Sequence, residues 1–78
     1  MDEKFNAILS IALVPQIIEL IIKNENINED TAIDKFYQSK TYEKLEVEET
    51  KMWHFSALTL YHMWKHEMET GELLFPEE

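Results

Sequence analysis

The sequence combines 78 residues with one glycine, no cysteine and a formal net charge of −9, from 7 basic and 16 acidic residues. The absence of cysteine excludes disulfides, thiol catalysis and a cysteine-ligated zinc site. The acidic balance, with lysine as the only basic residue type besides histidine, excludes the usual electrostatic basis of nucleic-acid binding. The length predicts a single domain over residues 1–78.

The net negative charge also affects which surfaces the protein is expected to bind. It disfavours anionic lipid surfaces and favours a basic protein partner. The apolar stretch over residues 5–22 contains Glu19, and a carboxylate at the bilayer centre costs about 2.5–3.5 kcal/mol on insertion scales. The preceding Asp2-Glu3-Lys4 is net acidic, the wrong sign for a signal peptide. We therefore predict a soluble, cytoplasmic protein without a membrane or nucleic-acid partner.

The amino-terminal third predicts two helices separated at a proline. Asp2 is the predicted N-cap of the first, and apolar residues recur at steps of three and four over residues 5–13. Pro15 removes an amide donor, and a residue before proline avoids the helical region, so we expect a break or sharp kink near Val14. The helix over residues 15–24 is apolar around most of its circumference, as in a central or interface helix.

Polar caps divide the middle of the chain. Asn28 is the predicted N-cap of a helix from residue 29 to about residue 38. Ser39 either ends that helix or caps a short helix over residues 42–45. A turn or short helix is expected over residues 48–54.

Ser56 is the predicted cap of a final helix that reaches Thr70, and Gly71 fits the left-handed position that ends it. One face of this helix carries apolar residues at steps of three and four: Ala57, Leu60, Tyr61, Trp64 and Met68. We expect this face to form the core with the helix over residues 17–22. The fold class predicted is all-α, a compact bundle of four or five short helices with no sheet.

His62 and His66 are the candidate metal ligands. They stand four apart on the last helix, so both side chains lie on one face, and a third ligand must come from His54 or a carboxylate. The zincin order is absent, because Met63 rather than glutamate follows the first histidine. We favour surface histidines, expect no cofactor, and keep a small metal-binding protein or enzyme as an alternative.

No catalytic residue is predicted, and the aromatic residues are the candidate partner contacts: Trp53, His54, Trp64 and Phe75. Tryptophan dominates binding hot spots but also builds cores. Trp53-His54 precede the last helix at a turn, where an aromatic ring is displayed on a rigid support. The apolar tail over residues 73–76 is expected to fold back onto the domain or onto a partner.

Four stretches carry a resemblance to a known family: Phe36-Tyr37-x-Ser39-Lys40-x-Tyr42-x-x-Leu45, Glu49-Thr50-Lys51-x-Trp53-His54-x-Ser56, Thr70-Gly71-Glu72 and Phe75-Pro76-Glu77-Glu78. Over residues 32–76 the chain resembles small acidic bacterial proteins classed as a domain of unknown function. The resemblance implies no catalytic residues. Related small proteins are often encoded beside an ADP-ribosyltransferase-like protein, which implies an antitoxin-like or accessory binding role.

The leading hypothesis is therefore a non-enzymatic protein-interaction module, whose partner is basic and encoded nearby. A second alternative is a homo-oligomeric structural protein, in which the isoleucine-rich helix over residues 17–22 forms the dimer seam.

Overall fold

The computed structural model of the protein describes residues 3–75, and these residues form helices and turns without any strand. The helices are α1 Glu3–Ala7, a π-helical segment Ile8–Leu13, α2 Val14–Glu25, α3 Glu29–Tyr37, α4 Lys40–Leu45 and α5 Ala57–Thr70, with 3-10 turns at Glu48–Thr50 and Met52–His54. The predicted all-α class is confirmed. The predicted N-cap Asp2 lies outside the described residues.

α1, the π-helical segment and α2 run on as one helix through Pro15, so the break near Val14, one of the two predicted outcomes, does not occur. Val14 keeps a helical backbone (φ −59°, ψ −46°), and its N–H donates to the carbonyl of Leu9, five residues back. This π pattern widens the turn before the proline. A wider turn offers space to the pyrrolidine ring, which otherwise clashes with the carbonyl four residues earlier.

The resulting helix, Lys4–Glu25, is long and apolar enough to cross a membrane by length and composition alone. The core helix of a soluble protein has the same properties. Here Phe5, Ile17 and Ile21 are each no more than 1% exposed, because the other helices cover them. The Cα radius of gyration is 11.8 Å, close to the roughly 11.5 Å expected of a compact chain of this length.

The core lies between α2 and α5, as predicted, with Ile17 and Leu60 fully buried. The predicted face of α5 is wrong at its carboxyl end. Met68 is 44% exposed, whereas Met63 is only 4% exposed. The buried face therefore follows the steps 60, 63, 64 and 67, which brings Glu67 to the inside.

The predicted helix ends at Asn28, Ser39, Ser56 and Gly71 are confirmed. Asn28, Ser39 and Ser56 each accept a hydrogen bond from the backbone N–H three residues on, at 2.8–3.1 Å. Ser39 thus caps α4. Gly71 has a left-handed backbone (φ 79°) and its N–H donates to the Glu67 carbonyl at 2.7 Å, which is the geometry that glycine adopts without steric cost.

The side chain of Glu67, on α5, holds the amino terminus of α4. It is 7% exposed. Its Oε2 accepts the Lys40 backbone N–H at 2.8 Å, and its Oε1 accepts both the backbone N–H and the hydroxyl of Thr41 at 2.9 Å. Amides in the first turn have no partner within their own helix, and a carboxylate is favoured at this positive end of the helix dipole. A buried charged group therefore joins α4 to α5.

We predict that Glu67→Ala lowers the free energy of unfolding by about 3 kcal/mol, because two backbone donors and the buried Thr41 hydroxyl lose their acceptor. The urea midpoint measures this change. The matched control is Glu69→Ala, on the same helix but exposed, with an expected change within about 0.5 kcal/mol. Equal midpoints for the two variants would contradict the role of Glu67.

Candidate functional site

The corner formed by Trp53 and His54 is built by the two 3-10 turns, with Lys51 in a left-handed conformation (φ 57°) between them. Trp53 is half-buried. Its Nε1–H donates to the Glu48 carbonyl at 3.1 Å, and its ring meets Phe5 edge-on at 5.6 Å. His54 is exposed, with its ring centroid 4.0 Å from that of Trp53. Trp53 is therefore a fixed support, and His54 is the accessible side of the corner.

Trp64 lies in the core. It is 2% exposed, and its Nε1–H has no hydrogen-bond acceptor within the described part of the chain. A buried donor without a partner costs about 1–3 kcal/mol, so packing must offset this loss. Because a partner cannot reach Trp64 without opening the core, the prediction of a partner surface rests on the other three residues.

The tail returns to α5 and forms a cleft with it. Leu73 packs against the core, while Leu74 and Phe75 are 60% and 50% exposed. The cleft has a volume of about 260 Å³ and is lined by Thr59, His62, Met63, His66, Leu74 and Phe75. The predicted fold-back is thus confirmed as far as Phe75, and Pro76 lies outside the described residues.

The two candidate metal ligands, His62 and His66, share this cleft. Across residues 3–75, however, no three histidine or carboxylate side chains come together in a way that holds a metal ion. His54 does not join the pair. The described chain therefore offers no third ligand for the metal-binding alternative.

Sequence reasoning missed a groove between α2 and α3, with a volume of about 420 Å³. On one side stand Ser10, Val14, Ile18 and Ile22, and on the other Ile33 and Tyr37. The sequence does indicate this groove, because the residues named on each side of it stand four apart on their helix. The isoleucine-rich stretch also fits a core helix or a dimer seam, so its apolar pattern alone does not indicate a groove.

Sequence reasoning also missed Glu67, although its spacing from Leu60 and Trp64 places it on their face of the helix. The backbone N–H groups that donate to its side chain belong to Thr41 and Lys40, which lie 26 and 27 residues earlier in the chain. The local spacing indicates that the Glu67 side chain faces the core, but not which donors form hydrogen bonds with it.

No protein-family model, curated protein or solved structure matches this chain significantly. The resemblance over residues 32–76 therefore stays a prediction.

A polar cluster joins the end of α2 to α5. The Tyr61 hydroxyl donates to Glu25 Oε2 at 2.8 Å, and Lys65 Nζ donates to both Glu25 oxygens at 2.9 and 2.7 Å. The hydrogen bonds from Lys65 and then Tyr61 lower the pKa of Glu25. Burial, followed by the bond to Glu25, raises the pKa of Tyr61.

This cluster predicts a pH-dependent stability. Because the folded pKa of Glu25 lies below its ordinary value of 4.5, its contribution is complete above that value and is lost as the pH falls through the folded pKa. Glu25→Gln should therefore lower the urea midpoint at pH 7, and the difference from the unmodified protein should shrink towards pH 3.

The control for this experiment is Glu49→Gln, an exposed carboxyl elsewhere in the chain, which should follow the unmodified protein at both pH values. A Glu25→Gln difference that is the same at pH 7 and pH 3 would contradict the assigned role of the ionised carboxylate.

Proposed function

We propose that this protein is a cytoplasmic, non-enzymatic protein-interaction module, of the antitoxin-like or accessory kind that the family resemblance implies. The observation that carries the proposal is the set of large apolar side chains outside the core. Ile11 is 77% exposed, Leu74 60%, Leu58 53% and Phe75 50%. Leu74 and Phe75 among them line one cleft, and contiguous exposed apolar surface is typical of binding sites.

Two surfaces supply the docking residues: the corner of Trp53 and His54, and the cleft under Phe75. The corner presents aromatic rings on a rigid support, and the cleft presents Phe75 beside α5. The corner is held by the hydrogen bond to Glu48 and the edge contact to Phe5, and Phe75 lies against α5. Rigid aromatic rings lose little conformational entropy when a partner binds.

The partner is a basic protein. A net charge of −9 accelerates encounter with a positively charged surface and makes the association sensitive to salt. The same charge opposes association between two copies. The isoleucine helix is also largely used within the domain, since Ile17, Ile18 and Ile21 are at most 7% exposed, so a homodimer seam there is not favoured.

The test is affinity capture from native cells, followed by calorimetry with the purified partner. We expect one specific basic protein, encoded nearby, whose affinity falls at least about tenfold, or about 1.4 kcal/mol, with the double variant His54→Ala/Phe75→Ala. Both side chains are exposed, so the variant should keep its helical circular dichroism and its urea midpoint.

The matched control is Asn24→Ala/Gln38→Ala, which truncates two exposed polar side chains and should bind the partner as the unmodified protein does. Capture of no specific protein would contradict the proposed function. Equal affinity of the two double variants would contradict the proposed surface.

A further inference from the structure

The groove between α2 and α3 is framed by two rows of side chains. Along the first helix Ser10, Val14, Ile18 and Ile22 follow one another at steps of four, and Ile33 and Tyr37 repeat the same step on α3. Rows at this spacing are the ridges by which helices pack into one another. Two neighbouring helices with facing ridges leave a channel that fits the ridge of a third helix.

The channel is apolar and partly open to solvent. Val14 and Ile18 are buried, Ile22 and Ile33 are half-buried, and Tyr37 is 45% exposed. Tyr37 is held edge-on against Tyr42, with 4.5 Å between the ring centroids. The wall is therefore preformed, and a partner that covers it buries apolar surface without first ordering these side chains.

The charges at the groove select the kind of partner. Glu19 and Glu29 are the charged residues that line it, both are exposed, and no lysine of the described chain joins them there. A second copy of the chain would bring further carboxylates and another net charge of −9, and an anionic membrane would meet the same repulsion. A segment that carries lysine or arginine beside an apolar face is complementary to the groove.

We propose that the groove between α2 and α3 binds an amphipathic helix of another protein, with its apolar face against Ile22 and Ile33 and its basic residues beside Glu19 and Glu29. The proposal rests on the proposed interaction function. The groove is a surface separate from the corner and the cleft, and its partner is a basic amphipathic helix.

The probe is a labelled, end-capped synthetic peptide of 18 residues, in which leucines form one helical face and lysines the other. Fluorescence anisotropy with the full chain should show saturable binding that weakens with added salt. A peptide of the same composition in scrambled order, and one with glutamate in place of lysine, should each bind at least tenfold more weakly. Equal binding of the scrambled peptide would overturn the proposal.

Variants locate the peptide on the protein. Glu19→Gln/Glu29→Gln should weaken binding at least tenfold. Glu46→Gln/Glu49→Gln removes the same charge from exposed residues elsewhere and should have a much smaller effect. Tyr37→Ala should weaken binding, and Tyr37→Phe should restore it. If both glutamine variants weaken binding equally, the peptide responds to net charge alone and the groove is not its site.

Light scattering and vesicles of phosphatidylglycerol and phosphatidylcholine test the other occupants. Self-association or vesicle binding that Tyr37→Ala abolishes would overturn the proposal in favour of a second copy or a membrane. A failed peptide experiment, with the cellular partner still bound through His54 and Phe75, overturns this inference alone and leaves the proposed function intact.

Discussion

The fold depends on the buried side chain of Glu67, which accepts hydrogen bonds from the first-turn amides of α4, a helix distant from it in sequence. A helix of six residues such as α4 is not stable in water by itself. Glu67 accepts the free amides of its first turn, and α4 then packs Leu45 into the core, fully buried. The 3-10 turns that follow α4 carry Met52 and Trp53. The link from α5 to α4 therefore positions the corner that we propose as a docking surface.

Features with a local cause were predictable from the sequence. The caps at Asn28, Ser39 and Ser56 and the left-handed Gly71 each follow from a side chain or backbone preference within three or four residues. Features set by distant contacts were not. The helix runs through Pro15 because the preceding turn widens. Glu67 is identified as a cap only when Lys40 and Thr41, 27 and 26 residues earlier in the chain, are in place.

The candidate binding residues also differ in where the structure places them. His54 and Phe75 are exposed as a binding residue must be, while Trp64 lies among the buried residues of α5. The spacing of Trp64 from Leu60 and Tyr61 places it on the apolar face of α5, and the preference of tryptophan for hot spots does not override that periodicity. The helix over residues 4–25 carries apolar residues on two sides. Ile17 and Ile21 are fully buried in the core, while Ile22 is half-buried beside the groove with α3. An all-round apolar pattern does not separate these two sides.

Amide hydrogen exchange at Lys40 and Thr41 tests the central role of Glu67 most directly. First-turn amides normally exchange fast because no carbonyl of their helix accepts them. If Glu67 caps α4, these two amides exchange as slowly as core amides such as that of Leu60, while those of Glu29 and Asp30 at the start of α3 exchange fast. Exchange of Lys40 and Thr41 at the rate of Glu29 and Asp30 would contradict the capping of α4 by Glu67.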